Sequence, residues 1–300
     1  MNILLTGATG FLGSNIYRLL SSDHQVSTLS RKNADYNYNL ELELPILDKQ
    51  FDLVIHCAGK AHSIPTNDFE IASFYKTNID GIVNILHSLS NSDTLKYFVF
   101  ISSVSVYGLI QGESINEKAP LLAKDAYGKS KIEAEKIVIN WCNEHNVIYT
   151  ILRLPLVVGD NPPGNLGSII KGIKKGYYCN IAGGGAKKSM VLASDIASFI
   201  LKAAEKGGTY NLTDGHHPSF NILSKHIAIL MGKTFVPNLP KFIAIILAKI
   251  GDLLGNKSPI NSVKLTKITS TLTFDDSKAR ATFGWDPSPV VQGFKLNNNV

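Results

Sequence analysis

The segment TGATGFLG at residues 6–13 constrains what this chain can fold into more than any other. It follows the apolar run Asn2–Thr6, which reads as a strand, and opens a helical pattern over Phe11–Ser21. Gly7, Gly10 and Gly13 permit a tight turn, close approach of a pyrophosphate to the backbone, and close packing of helix on strand. The first helical turn then offers free backbone N–H groups to phosphate oxygens. Gly7, Thr9, Gly10, Phe11, Leu12 and Gly13 are therefore the expected cradle of a dinucleotide.

The pattern beyond the turn fits that expectation. Short apolar runs at Gln25–Leu29, Asp52–Cys57, Tyr97–Ile101 and Tyr149–Leu154 read as strands buried on both faces, as in a parallel sheet. Helical patterns lie between them, near Phe69–Ser90 and over Asp125–His145. The expected fold is α/β: a Rossmann doubly wound parallel sheet with a smaller mixed α/β C-terminal substrate-binding lobe. Residues 1–160 are expected to bind the dinucleotide and carry the catalytic groups. Residues 161–300, where prolines and glycines loosen the pattern, are expected mainly to bind substrate, with some segments returning to the sheet.

The end of the second strand selects the dinucleotide. An acid there would accept bonds from the adenosine ribose 2′-hydroxyl, but this chain has Ser30 followed by Arg31 and Lys32. Their charges suit a 2′-phosphate. NADP(H) is the expected cofactor, with NAD(H) as the alternative.

Tyr127 and Lys131 in DAYGKSKIEAEKI are four residues apart and share a helix face. A phenol with an ordinary pKa near 10 needs help to act at neutral pH, and a neighbouring ammonium favours its phenolate. The same lysine can bond a nicotinamide ribose. ISSVSVYG, at the end of a buried strand, adds Ser103 as a hydroxyl to orient a carbonyl or alcohol. Ser103, Tyr127 and Lys131 are thus the candidate catalytic set.

Charge and cysteine usage exclude other classes. The net charge is +6, yet its lysines and arginines are dispersed without interleaved aromatics, which argues against nucleic acid. Cys57, Cys142 and Cys179 form no CxxC pair, so no disulfide framework is indicated; the eight histidines are scattered too, and no metal site is expected. His62 follows the third strand and reads as a loop residue. The chain opens on a strand with no room for a charged signal-peptide region, so a cytoplasmic location is expected. Phe242–Leu254 is the most apolar stretch. It is interrupted by Lys249 and Asp252, too short to span a bilayer, and reads as a buried or partly buried helix, with weak peripheral membrane contact as the alternative.

TGATGFLG, HCAG at His56–Gly59, TNIDG around Asn78, ISSVSVYG and YGKSK together resemble the extended short-chain dehydrogenase/reductase family of NAD-dependent epimerases and dehydratases. The likeness continues through LRLPLVVGD, VLASDIA, YNLTDG and FDDSKARATFGWDP. It is nearest to nucleotide-sugar 4-ketoreductases and 4-epimerases of bacterial O-antigen or capsule biosynthesis. It implies that Ala58 and Gly59 line the cofactor and that Asn78 supports the active-site helix on the cofactor side. It also implies that Ser103, Ser105, Asn165 and Lys188 face a nucleotide-sugar substrate, and that a homodimer forms through helices that include the Tyr127 segment. Lys188 stands where an arginine often binds phosphate, which keeps the charge and loses the bidentate fork.

Two departures bear on the reaction. Many 4,6-dehydratases of the family carry Thr-Asp-Glu where this chain has Ser103, Val104 and Ser105, so the groups for eliminating water are missing. Leu156 in RLPLVVG stands where epimerases and dehydratases often have an asparagine, and this form resembles reductases of 4-keto-6-deoxysugars. With Arg31, the expected activity is NADPH-dependent reduction of the C4 carbonyl of a nucleotide-linked, UDP-type 4-keto-6-deoxysugar. An NAD-dependent nucleotide-sugar 4-epimerase is the alternative. A non-catalytic dinucleotide-binding scaffold would lack the Ser–Tyr–Lys set, which is present here.

Overall fold

The computed structural model describes residues 1–61, 65, 67–254, 258 and 260–296. Seven parallel strands form its central sheet: β1 (Asn2–Thr6), β2 (Gln25–Ser30), β3 (Tyr36–Asn37), β4 (Leu53–His56), β5 (Tyr97–Ser103), β6 (Ile148–Leu154) and β7 (Gly208–Asn211). Their spatial order is β7-β6-β5-β4-β1-β2-β3. The chain runs outward from β1 through β2 to β3, then returns to lay β4 on the other side of β1. That reversal opens a crevice at the carboxyl ends of β1 and β4, where such sheets bind ligands.

Side-chain alternation explains why the strands are apolar almost throughout. Ile3, Leu5, Leu53, Ile55, Val99, Leu152 and Leu154 enter a core shared with α1 (Phe11–Leu20) and α6 (Ala193–Lys206). Leu4, Val54, Phe98, Phe100 and Ile151 enter the opposite core, with α3 (Gly81–Ser88) and α4 (Ala126–Glu144). A parallel sheet covered on both faces needs this composition.

The long helix α4 is bounded by its own chemistry. Asp125 caps it, accepting a 3.0 Å bond from the Gly128 amide, and the His145 amide closes it on the Trp141 carbonyl. The pattern near Phe69–Ser90 divides into α2 (Asp68–Tyr75), a π-helical turn at Lys76–Asp80, and α3. Such turns occur often at functional sites, and this one carries Asn78.

The last third builds a smaller layer from α5 (Gly164–Lys175), α7 (Phe220–Leu230), α8 (Lys241–Leu254), α9 (Ser262–Thr269) and α11 (Val290–Gly293), while α10 (Ser277–Phe283) returns to the central sheet, where Ala279 and Phe283 join the core shared with α6. Short parallel strand pairs join Leu156–Val158 to Met190–Leu192 and Asn180–Ile181 to Asn238–Leu239. Val158, Leu166, Ile170, Met190, Leu223 and Ile227 form its core.

Phe242–Leu254 is a partly buried helix, as expected: Ala244, Ala248 and Gly251 are covered, while Phe242, Ile246 and Leu253 are 65%, 55% and 89% exposed. Small side chains pack it against α9.

Candidate active site

The cradle is tightly specified at two glycines. Gly7 has φ +70°, and a Cβ on it would lie 2.7 Å from the Ala58 amide nitrogen; a Cβ on Gly13 would lie 2.2 Å from the Gly7 carbonyl oxygen. Neither position admits a side chain, because the obstacle is backbone. Gly10 differs: a Cβ there would meet only the Gly7 oxygen, at 3.1 Å, and otherwise enter open space. Gly10 is also the N-cap of α1 and has no side chain to bond the first-turn amides of Phe11, Leu12 and Gly13. Exposed backbone donors and room beside Gly10 fit a dinucleotide pyrophosphate.

Loop 57–60 faces this turn. The Ala58 amide donates to Thr6 Oγ1 at 3.2 Å, and Thr6 in turn bonds His56 Nδ1 at 3.0 Å. Burial pushes His56 down to about 3, so it sits neutral in the core; burial pushes the Cys57 thiol up to about 12. Both side chains are structural here. Ser30 is buried 3.5 Å from Thr9 Oγ1, whereas Arg31 and Lys32 are exposed and bond nothing among the described residues.

Ser103 ends β5 and caps a short 3-10 turn, Val104–Tyr107. Its Oγ accepts from the Ser105 amide and lies 3.2 Å from Ser105 Oγ. Tyr127, in the first turn of α4, packs on Phe74 with ring centroids 6.1 Å apart. Burial pushes the Tyr127 phenol above its ordinary value, with the Ser103 hydroxyl opposing the rise and Asp125 adding to it. Lys131, one turn on, is buried and pushed down to about 8 by that burial, with Cys57 and Glu135 opposing.

Lys131 Nζ donates to the Ile101 carbonyl at 2.8 Å and stands 4.5 Å from the Phe100 ring centroid. The ammonium also borders loop 57–60, where a Cβ on Gly59 would lie 3.4 Å from it.

Asn78 is buried behind that loop. Its Oδ1 accepts from the Lys60 amide at 2.8 Å, and its Nδ2 donates to Ser130 Oγ at 2.9 Å and to the Lys60 carbonyl at 3.2 Å. Ser130 in turn donates to the Tyr127 carbonyl at 2.8 Å. Asn78 therefore couples the cofactor loop to the catalytic helix through side chains already committed to protein partners.

Sequence reasoning missed a second buried network. Glu135 accepts from Arg153 at 2.7 Å and 3.1 Å and from Ser102, while Arg153 also bonds the Tyr107 hydroxyl, which donates to Asn211. It locks α4 to β5, β6 and β7 beneath the catalytic side chains. The signal was present: Glu135 continues the four-residue spacing of Tyr127 and Lys131. Asn165 is exposed in the first turn of α5, and Lys188 bridges to Leu272. Burial lowers Lys188, and the charge of Lys267 from α9 lowers it further. Nothing in the sequence pattern pointed to Lys267. His62 lies outside the described residues. Among the described residues no cluster could hold a metal ion, and all three cysteines are free.

A glycine cradle at the switch point of a Rossmann sheet, with a serine, tyrosine and lysine on the adjoining strand end and helix, defines an enzyme of the short-chain dehydrogenase/reductase class. Residues 3–213 match the NAD dependent epimerase/dehydratase family, and the chain belongs to it. It is similar to the UDP-glucose 4-epimerase of Vibrio cholerae, 29% identical over 98% of this chain and 93% of that protein. It is also 27% identical to the N-acetyl-alpha-D-glucosaminyl-diphospho-ditrans,octacis-undecaprenol 4-epimerase of Escherichia coli O157:H7, over 97% of this chain and 92% of that one. The fold is that of the UDP-glucose 4-epimerase of Thermotoga maritima solved with UDP-glucose: TM-score 0.74, 23% identity, 98% and 96% of the two chains covered. Among solved proteins of this fold, some are complexes with NAD and one is a complex with NADPH.

Proposed function

We propose that this protein is a nucleotide-sugar 4-epimerase, acting on a UDP-linked sugar destined for surface glycans. The observation that carries the reading is the placement of Ser103 at the end of β5 and of Tyr127 and buried Lys131 one turn apart on α4, with Lys131 Nζ beside Gly59. The full-length likeness to 4-epimerases supports it over the net reductase expected from Leu156 and Arg31. Ser103, Val104 and Ser105 in place of an acid–base pair argue against a dehydratase.

Gly7, Gly10, Gly13, Ala58 and Gly59 would hold the dinucleotide. When bound, it supplies reversible hydride transfer with C4 of the sugar. Tyr127 Oη exchanges the proton of the C4 oxygen, giving it up as a phenol and taking it back as a phenolate. Ser103 orients that oxygen, and its hydroxyl favours the phenolate. Lys131 bonds the ribose side of the cofactor from beside Gly59. Lys188 neutralises the substrate diphosphate.

The reductase remains a second reading because one observation favours it: Arg31 and Lys32 are exposed and, among the described residues, unengaged beside buried Ser30, as a 2′-phosphate would require. On that reading the preferred cofactor is NADP(H), whereas the epimerase reading takes NAD(H). We further propose that residues 161–300 mainly serve the substrate and that the protein works in the cytoplasm as a homodimer. Size-exclusion chromatography with light scattering checks the dimer. A panel of UDP-sugars and UDP-4-ketosugars, followed by proton NMR with and without added NADPH, decides between the two activities. Epimer formation without added NADPH supports the epimerase; stoichiometric NADPH consumption with a ketosugar and no epimer formation overturns it.

A further inference from the structure

Helix α8 inverts the usual arrangement of an amphipathic helix. Its covered face is Ala244, Ala248 and Gly251, and a Cβ on Gly251 would fall 1.8 Å from the Ile260 carbonyl oxygen, so the helix lies hard against the chain leading into α9. Three small residues at this spacing occupy one side. The opposite side is a continuous apolar stripe of Phe242, Ile246, Ile250 and Leu253, all 49% exposed or more, flanked by Ile245 and Leu254. A soluble surface rarely concentrates so many large apolar side chains on one element.

The charges around the stripe are one-sided. Residues 241–267 contain five lysines and a single acid, Asp252. Asp252 is already engaged, accepting from the Ser262 amide and hydroxyl. Lys241 and Lys249 are exposed on α8, Lys249 close to the stripe itself, and Lys267 is exposed on α9. Apolar bulk with lysines beside it is the composition of a helix lying in the plane of a membrane interface. A second copy of this chain fits less well, because a symmetric contact through α8 would oppose Lys249 to Lys249 with no free carboxylate between them.

We infer that α8 and the adjoining face of α9 form a docking surface for an anionic lipid bilayer. The stripe enters the boundary between headgroups and acyl chains, and Lys241, Lys249 and Lys267 meet lipid phosphates. No span is involved, since no described helix is long and apolar enough to cross a membrane.

The test is co-sedimentation of the full chain with vesicles of phosphatidylcholine alone or mixed with phosphatidylglycerol, at low and physiological salt. The mixed vesicles should bind the protein about tenfold or more tightly than neutral ones, with binding weakened by salt. Ile246→Glu with Leu253→Glu should lower binding to the mixed vesicles about tenfold or more, with circular dichroism and dinucleotide affinity unchanged. Lys249→Glu should weaken binding to the mixed vesicles selectively. Phe242→Trp should shift its fluorescence to the blue on adding them. The inference is overturned if wild-type protein ignores both vesicle types, or if the double glutamate variant binds as well as wild type. It is equally overturned if that variant loses self-association while wild type shows no vesicle binding, which would assign the stripe to a second copy. None of these readouts depends on the sugar reaction.

Discussion

Replacing Gly10 and Gly13 separately by alanine distinguishes a glycine kept for the fold from one kept for the ligand. A Cβ on Gly13 falls 2.2 Å from the Gly7 oxygen and 2.8 Å from its carbonyl carbon, inside the 3.0 Å that real contacts respect. Turn and helix must therefore part. Overpacking of this kind costs about 1–3 kcal/mol, and alanine's advantage inside a helix returns at most about 1 kcal/mol. Gly13→Ala should lower Tm by several degrees, at roughly 2–4 °C per kcal/mol, even without ligand. Gly10→Ala meets only one protein atom, at 3.1 Å, and an N-cap alanine costs about 1 kcal/mol or less. Its methyl enters the open side of the cradle, so the loss should fall on binding. A tenfold or larger rise in dinucleotide Kd, about 1.4 kcal/mol, is expected with little change in Tm. Calorimetric titration with NADP(H) and NAD(H), alongside thermal melts of the free proteins, reads both quantities. If Gly10→Ala binds either dinucleotide as well as wild type, or if Gly13→Ala melts unchanged, the assignment of the two glycines is wrong.

Other expectations follow from the buried polar groups. Glu135→Ala leaves Arg153 charged and unpaired in the core and should cost about 3–5 kcal/mol in a urea titration. Asn78→Ala removes the link from Lys60 to Ser130 and should cost about 1–3 kcal/mol; as a positioning change it should lower kcat more than it raises KM, and Asn78→Asp should not restore it. Lys131 titrates at about 8 in the fold and 10.5 when free, so between those values the unfolded chain holds a proton that the folded chain has released. Stability relative to Lys131→Met should therefore rise with pH from about 8 to 10.5 and level off above, measured by denaturant titrations across that range. Arg31→Ala should weaken NADP(H) binding about tenfold and leave NAD(H) unchanged if the guanidinium meets the 2′-phosphate, which paired titrations would show.

The elements that position the site were legible because periodicity and capping chemistry agreed. β1, the Gly7–Gly13 turn and α1 follow from one contiguous pattern, and Asp125 and His145, read as the limits of a helical pattern, are its two caps. The catalytic trio was legible because its members lie on a strand end and one helix face. The supporting network was not, because Arg153, Tyr107 and Asn211 come from distant segments whose meeting depends on sheet order. The Lys131 contact was not legible for a related reason: spacing places it near Tyr127 but does not tell which way a flexible ammonium turns, and the Ile101 carbonyl takes it. Helix α8 was legible as partly buried, but apolar content alone does not say which face is covered. There the small residues decided.

The central claim is that Tyr127 exchanges a proton with the C4 oxygen of a nucleotide-linked sugar while the dinucleotide is regenerated within each turnover. Its most direct test compares wild type with Tyr127→Phe, each first shown to bind dinucleotide, by proton NMR of UDP-sugars with no reduced cofactor added. The wild type should drive each accepted sugar to an equilibrium mixture of C4 epimers with no net consumption of cofactor, and Tyr127→Phe should slow this by about a hundredfold or more. Near-full turnover by Tyr127→Phe, or reaction only with a 4-ketosugar at the expense of one NADPH per product, would contradict it.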